Sequence, residues 1–60
     1  MMTTTEMNVI AYLDAHNGRA AVSTLTCAVG DPREVLVALS KLDYDGVIRI
    51  VADGRRVELA

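Results

Sequence analysis

The side chains that could do chemistry in this 60-residue chain are few and stand far apart. His16 is the only histidine and Cys27 the only cysteine, and we predict them on different helices. A catalytic nucleophile needs an adjacent base and a third group that orients the base. A zinc site needs about four Cys, His or carboxylate ligands. The sequence therefore predicts no enzyme, no metal site and no cofactor, with Cys27 a buried thiol and His16 a helix-end residue.

The basic side chains that could hold phosphate are outnumbered by acids. Six lysines and arginines oppose eight acidic residues, so the net charge is −2. Residues 31–45 carry −2, from four acids against two bases, whereas residues 46–60 carry +1, from three arginines against two acids. Lys and Arg side chains that neutralise phosphates supply much of the affinity of nucleic-acid binding. Only the C-terminal segment therefore has the charge that favours DNA.

The length and composition indicate one small folded domain over residues 1–60. Half of the residues are hydrophobic, and Trp and Phe are absent, so the core must be aliphatic. No uncharged run approaches the about 20 residues that a membrane span needs. The first residues lack the basic and apolar regions of a signal peptide, so we expect a cytoplasmic protein with no membrane partner.

Three helices are predicted, at about 4–16, 21–29 and 32–44. Thr3 and Glu6 have the spacing of a capping box, which predicts the start of the first helix. Gly18 favours its end by taking the left-handed conformation after the last turn. Asp31 followed by Pro32 predicts the start of the third helix, because Asp is a preferred N-cap and Pro fits the first helical position. Glu34 could complete a second capping box.

A β-hairpin is predicted at 47–52 and 55–59, joined by Asp53-Gly54 as a two-residue type I′ turn. This turn sets the register and places Arg49 opposite Glu58. Alternation then predicts an apolar face that docks on the helices, made by Ile48, Ile50, Val57 and Leu59. Three helices followed by a two-stranded hairpin make an α+β fold.

Two segments carry a family resemblance. Residues 35–48, VLVALSKLDYDGVI, and residues 12–18, YLDAHNG, resemble the winged helix-turn-helix DNA-binding family, and in pattern the short bacterial regulators of Pap-type fimbriae. The resemblance implies a winged helix whose third helix enters the major groove of double-stranded DNA while the hairpin wing contacts the backbone. It further implies a small transcriptional regulator. The DNA-binding residues would then be Arg33, Val37, Ser40, Lys41 and Tyr44 on the helix and Arg49, Arg55 and Arg56 on the wing.

An alternative use of the third helix stays open. Residues 35–39 are all apolar, and one buried stripe cannot hold all five. Leu36 or Val37 should therefore be partly exposed and could form an interaction surface. The chain would then be a protein–protein interaction or dimerisation module without DNA binding, although a homodimer is compatible with both hypotheses.

Overall fold

The computed structural model describes all 60 residues as three helices and one three-stranded antiparallel sheet, an α+β fold. The elements in chain order are α1 (Thr4–Ala15), β1 (Arg19–Ala21), α2 (Val22–Ala28), α3 (Pro32–Tyr44), β2 (Ile48–Val51) and β3 (Arg56–Leu59). The sheet order is β1-β3-β2, so β3 is the central strand. No helix has the length and hydrophobicity that crossing a bilayer requires.

The start of α1 is the predicted capping box. The Thr3 hydroxyl accepts a hydrogen bond from the Glu6 N–H at 3.1 Å, and the Glu6 carboxylate accepts one from the Thr3 N–H at 2.7 Å. The helix ends at Ala15, one residue before the predicted end, with His16 as C-cap. Asn17 (φ 63°) takes the first left-handed position that we predicted for glycine, and Gly18 follows it and donates to the Leu13 carbonyl at 2.6 Å. This bond satisfies a carbonyl group of the last turn.

The start of α3 lies at Pro32, as predicted. The Asp31 carboxylate accepts from the backbone N–H of Arg33 at 2.8 Å and of Glu34 at 3.3 Å. The predicted second capping box is wrong, because the Glu34 side chain makes no bond back to Asp31. The helix ends at Tyr44, and its buried stripe is the predicted one: Val35, Ala38, Leu39 and Leu42.

The core is aliphatic and draws on every helix and on two strands. Eight side chains form it: Val9, Leu13, Leu25, Val35, Leu39, Leu42, Ile48 and Val57. Tyr12 packs partly buried at the margin of this cluster, whereas Tyr44 is exposed. The missing Phe and Trp are thus replaced by branched side chains from many elements.

The hairpin has the predicted register. β2 pairs with β3 as Ile48–Leu59, Arg49–Glu58, Ile50–Val57 and Val51–Arg56. Its strands are shorter than predicted, because residues 52–55 form the turn, with positive φ at Ala52, Asp53 and Gly54, so the predicted two-residue turn is wrong. The apolar face is also less complete than predicted, since Ile50 is 39% exposed on an edge strand.

A third strand, β1, is absent from the sequence prediction. It pairs with β3 as Arg19–Glu58, Ala20–Val57 and Ala21–Arg56, so a sheet of only two strands is wrong. β1 covers the edge of β3 that the hairpin leaves open, and backbone N–H and C=O groups on such an edge favour pairing. A segment of three residues has too little alternation to predict a strand.

The predicted burial of Cys27 is wrong, and the structure buries a charged residue, Glu6. Cys27 is exposed rather than buried, because it lies two residues, or about 200°, around α2 from the inward-facing Leu25. α2 itself begins at Val22 and ends at Ala28, shorter than predicted. Glu6 is only 3% exposed although it is charged, since its carboxylate is held by the Thr3 N–H.

Candidate nucleic-acid interface

One face of α3 carries all five of the residues that the sequence placed there for DNA. Because the buried stripe occupies the opposite side, the side chains of Arg33, Val37, Ser40, Lys41 and Tyr44 are all exposed along one line. Leu36 adjoins this line and is 52% exposed, and Val37 is 66% exposed. The prediction that at least one of these two aliphatic residues is uncovered is confirmed. We call Arg33, Leu36, Val37, Ser40, Lys41 and Tyr44 the outer face of α3.

A groove separates this outer face from the tip of the hairpin. Residues of α2, α3 and the turn between β2 and β3 line it, and we call it the hairpin groove. Its lining includes Ser23, Pro32, Leu36, Gly54, Arg55 and Arg56. No acidic side chain lines it. The hairpin groove therefore combines an apolar floor with positive charge.

A second cleft lies on the other side of the outer face, between α3 and the start of α1. Its charged lining residues are Glu6, Arg33, Glu34 and Lys41, with Val37 at its margin. Two acids thus offset two bases in this α1–α3 cleft. The hairpin groove suits an anion better, because nothing in its lining repels one.

Ion pairs divide the predicted DNA-binding cations into two groups. Lys41 Nζ lies 3.7 Å from an Asp45 carboxylate oxygen, and an Arg49 guanidinium nitrogen lies 3.7 Å from a Glu58 carboxylate oxygen. The Arg49–Glu58 pair is the one that the hairpin register predicts. The three remaining predicted cations, Arg33, Arg55 and Arg56, have no ion pair, and neither does Arg19.

Arg55 at the hairpin tip is held by the turn. Arg55 Nε donates to the Ala52 carbonyl at 3.3 Å, and the terminal nitrogens of its guanidinium make no hydrogen bond. The backbone N–H of Arg55 donates to the same carbonyl at 3.2 Å. Three successive positive φ angles, at Ala52, Asp53 and Gly54, reverse the chain, and both arginines line the groove.

Arg49 is separated from the outer face of α3. It alternates with Ile48, whose side chain is buried under the helices, so Arg49 lies on the opposite face of the sheet. Arg19, which the sequence analysis missed, is paired with Glu58 in the register with β3 and lies on that same sheet face, as does Arg56, which alternates with the buried Val57. Only β1 brings Arg19 there, and no sequence signal predicts that strand.

Charge is distributed unevenly between the sheet and the helices. The strands and the hairpin turn carry four arginines against Asp53 and Glu58, a net of +2. The helices with their caps carry two bases against six acids, a net of −4. Although the overall charge is −2, the sheet with its hairpin tip is therefore a basic region.

Glu6 and His16 have structural partners. The hydrogen bond from the Thr3 N–H lowers the pKa of the Glu6 carboxyl, against the opposing effect of burial, and the nearby charge of Lys41 lowers it further. The His16 ring stacks on Tyr12 with centroids 3.9 Å apart, and its Nδ1 lies 2.8 Å from the Tyr12 carbonyl oxygen. Both side chains stabilise an end of α1.

The arrangement as a whole brings positive charge, hydroxyl groups and an apolar surface together on one side of the molecule. Arg33, Arg55 and Arg56 supply unpaired charge, Ser40 and Tyr44 supply hydroxyl groups, and Leu36 and Val37 supply the apolar contact.

Comparison of this chain with protein-family models, with curated proteins and with solved structures finds no match.

Proposed function

We propose that this chain is a winged-helix domain that binds double-stranded DNA and serves as a small transcriptional regulator. The observation that carries the proposal is the hairpin groove, where two arginines without ion pairs and no acid lie beside the outer face of α3. Contacts from such arginines to the phosphate backbone position a protein on a duplex.

The order of the elements supports the winged-helix assignment. α2 and α3 are separated only by residues 29–31, which is the tight connection of a helix-turn-helix. The hairpin of β2 and β3 follows α3 directly and serves as the wing. β1 attaches this wing to the body of the domain by pairing with β3.

The docking follows from groove dimensions. The major groove of B-DNA, about 12 Å wide, accepts an α-helix. With α3 in that groove, the phosphate backbone at the groove's edge passes through the hairpin groove. Arg55 and Arg56 then contact phosphates, with the Ser23 hydroxyl as a further donor. Arg33 contacts phosphate or guanine from the first turn of α3, while the ion-paired Lys41 and Arg49 contribute less.

A titration of the protein with a mixed-sequence DNA duplex at several salt concentrations tests the proposal. Three unpaired cations at the interface predict a slope of log K against log salt of about −2.7. Single-stranded DNA of the same sequence is the matched control, and it should bind more weakly because it has no major groove. Absence of duplex binding at low salt would refute DNA binding, and a slope near zero would refute the proposed phosphate contacts.

A second candidate function is favoured by the exposure of Leu36 and Val37. Two neighbouring aliphatic residues more than half exposed on one helix are typical of a protein contact, and a second copy of this chain could cover them. Light scattering at high concentration tests this function. A dimer that Val37→Asp converts to monomer would support it, and a wild type that stays monomeric would exclude self-association.

A further inference from the structure

The centre of the outer face of α3 consists of aliphatic side chains. Leu36 and Val37 are 52% and 66% exposed, and no Asn or Gln occurs anywhere in the helix. The hydrogen-bonding side chains lie toward the ends and margins of the face, at Arg33, Ser40, Lys41 and Tyr44. A helix that enters the major groove with this face therefore presents methyl groups to the middle of its site.

One feature of the major groove matches an aliphatic surface. Thymine presents its C5-methyl group there, whereas cytosine presents an N4 amino donor. Leu36 and Val37 offer neither a donor to thymine O4 nor an acceptor to cytosine N4, so the C5-methyl group, which they can bury, is what distinguishes the two bases for this surface. Aliphatic side chains at the centre of the site thus discriminate in favour of thymine.

We propose that Leu36 and Val37 read thymine C5-methyl groups, so that the preferred DNA is thymine-rich under the middle of α3. The proposal rests on the DNA-binding function above and names the class of site that it recognises. Leu36 lines the hairpin groove and Val37 lines the α1–α3 cleft, so the pair spans the outer face from one side to the other.

The charges around this pair favour DNA over a protein partner. Arg33 lies one helical turn before Val37, and Arg55 and Arg56 lie across the hairpin groove from Leu36, all without ion pairs. Phosphates on both sides of a methyl-lined groove complement an aliphatic pair flanked by cations. The outer face itself contains no acidic side chain, and the exposed acid that borders it, Glu34, lies on the side of the α1–α3 cleft, away from Arg55 and Arg56.

The test removes the methyl groups from the DNA and leaves the rest of the duplex in place. Two A·T-rich duplexes of about 20 base pairs (two turns of B-DNA at about 10.5 base pairs per turn) are compared, one with thymine and one with deoxyuridine. Each methyl group buried should change the affinity about fourfold, so loss of two should weaken binding about 15-fold. A second comparison, 5-methylcytosine against cytosine in a G·C-rich duplex, restores the methyl at the same position and should strengthen binding.

Two variants test whether the preference for thymine depends on Leu36 and Val37. Leu36→Ala/Val37→Ala should bind the thymine and deoxyuridine duplexes equally, because it lacks the aliphatic surface. Met7→Ala, which truncates a similarly exposed side chain on α1, should keep the full preference. Circular dichroism checks that both variants are folded.

Equal affinity of the wild type for the thymine and deoxyuridine duplexes would overturn methyl reading and leave DNA binding standing. A preference that survives in the double variant would overturn the assignment to Leu36 and Val37. Failure to bind any duplex would instead refute the underlying DNA-binding function. If the double variant dissociates a dimer and leaves the preference unchanged, this face contacts a second copy and the inference is wrong.

Discussion

Replacing Arg55 and Arg56 by glutamine should remove most of the salt dependence of DNA binding without unfolding the domain. These two arginines are the only charged residues that line the hairpin groove, and neither has an ion pair. Glutamine keeps a polar side chain at each position and removes the charge. The variant therefore isolates the contribution of phosphate neutralisation.

The magnitude follows from the number of unpaired cations. With Arg33, Arg55 and Arg56 at the interface, the slope of log K against log salt is about −2.7, and with Arg33 alone it is about −0.9. Between about 50 and 200 mM salt, the wild type should then lose about 40-fold in affinity and the double variant only about 3.5-fold. At the lower salt concentration the double variant should already bind more weakly.

The substitutions should have little effect on folding. Both side chains are exposed, so each change should alter the free energy of unfolding by no more than about 0.5 kcal/mol. The turn itself depends on backbone bonds, from Gly54 N–H to the Val51 carbonyl and from Arg55 N–H to the Ala52 carbonyl, both 3.2 Å. Glutamine leaves these bonds unchanged.

Fluorescence anisotropy with a labelled duplex at several salt concentrations measures the slope, and thermal unfolding checks the fold. Arg49→Gln is the matched control, because Arg49 lies on the same hairpin and on the same sheet face as Arg56 but is paired with Glu58 at 3.7 Å. An unchanged slope in the double variant would refute the hairpin groove as the phosphate site. An equal reduction by Arg49→Gln would refute the distinction between paired and unpaired arginines.

The remaining predictions concern stability. Leu42→Ala should destabilise the fold by about 2–5 kcal/mol, because Leu42 is fully buried, whereas Leu36→Ala on the same helix should cost less than about 1 kcal/mol; chemical denaturation of both compares them, and equal losses would contradict the packing described. Because the Glu6 pKa is lower in the folded chain than its ordinary value of 4.5, the stability that its charge adds is complete above that value and is lost as the pH falls through the folded pKa. Glu6→Gln removes this titration, so its thermal stability relative to the wild type should improve as the pH falls; a constant difference across the acid range would contradict the capping role of the carboxylate.

The elements that the sequence predicted well depend on contacts between near neighbours in the chain. The capping box joins Thr3 to Glu6, the start of α3 depends on Asp31 and Pro32, and the hairpin register depends on Asp53-Gly54. The exposed face of α3 was predictable for a related reason, since the buried stripe of a regular helix determines which residues lie opposite. Such features can be predicted without knowing which elements pack around them.

β1, the burial of Glu6 and the exposure of Cys27 could not be predicted in this way. β1 exists because β3 has an open edge nearby, and only the folded chain brings residues 19–21 to residues 56–58. Glu6 is covered because α1 packs on α3, and Cys27 is uncovered because only Leu25 of the short α2 points fully inward. Each outcome depends on which elements lie next to one another.

The features of the candidate interface fall into the same two groups: some depend on local sequence, and others depend on which elements pack together. The sequence by itself determined that Arg55 and Arg56 lie at a hairpin tip and that α3 has an aliphatic exposed surface, because turn chemistry and helical periodicity are local. Only the tertiary structure decided that Leu36 and the two arginines line one groove without an acid, and that the arginines of this groove and Arg33 have no ion pair. The physical reason is that a groove and a charge distribution belong to surfaces assembled from distant segments, and packing of the hydrophobic core sets their relative positions.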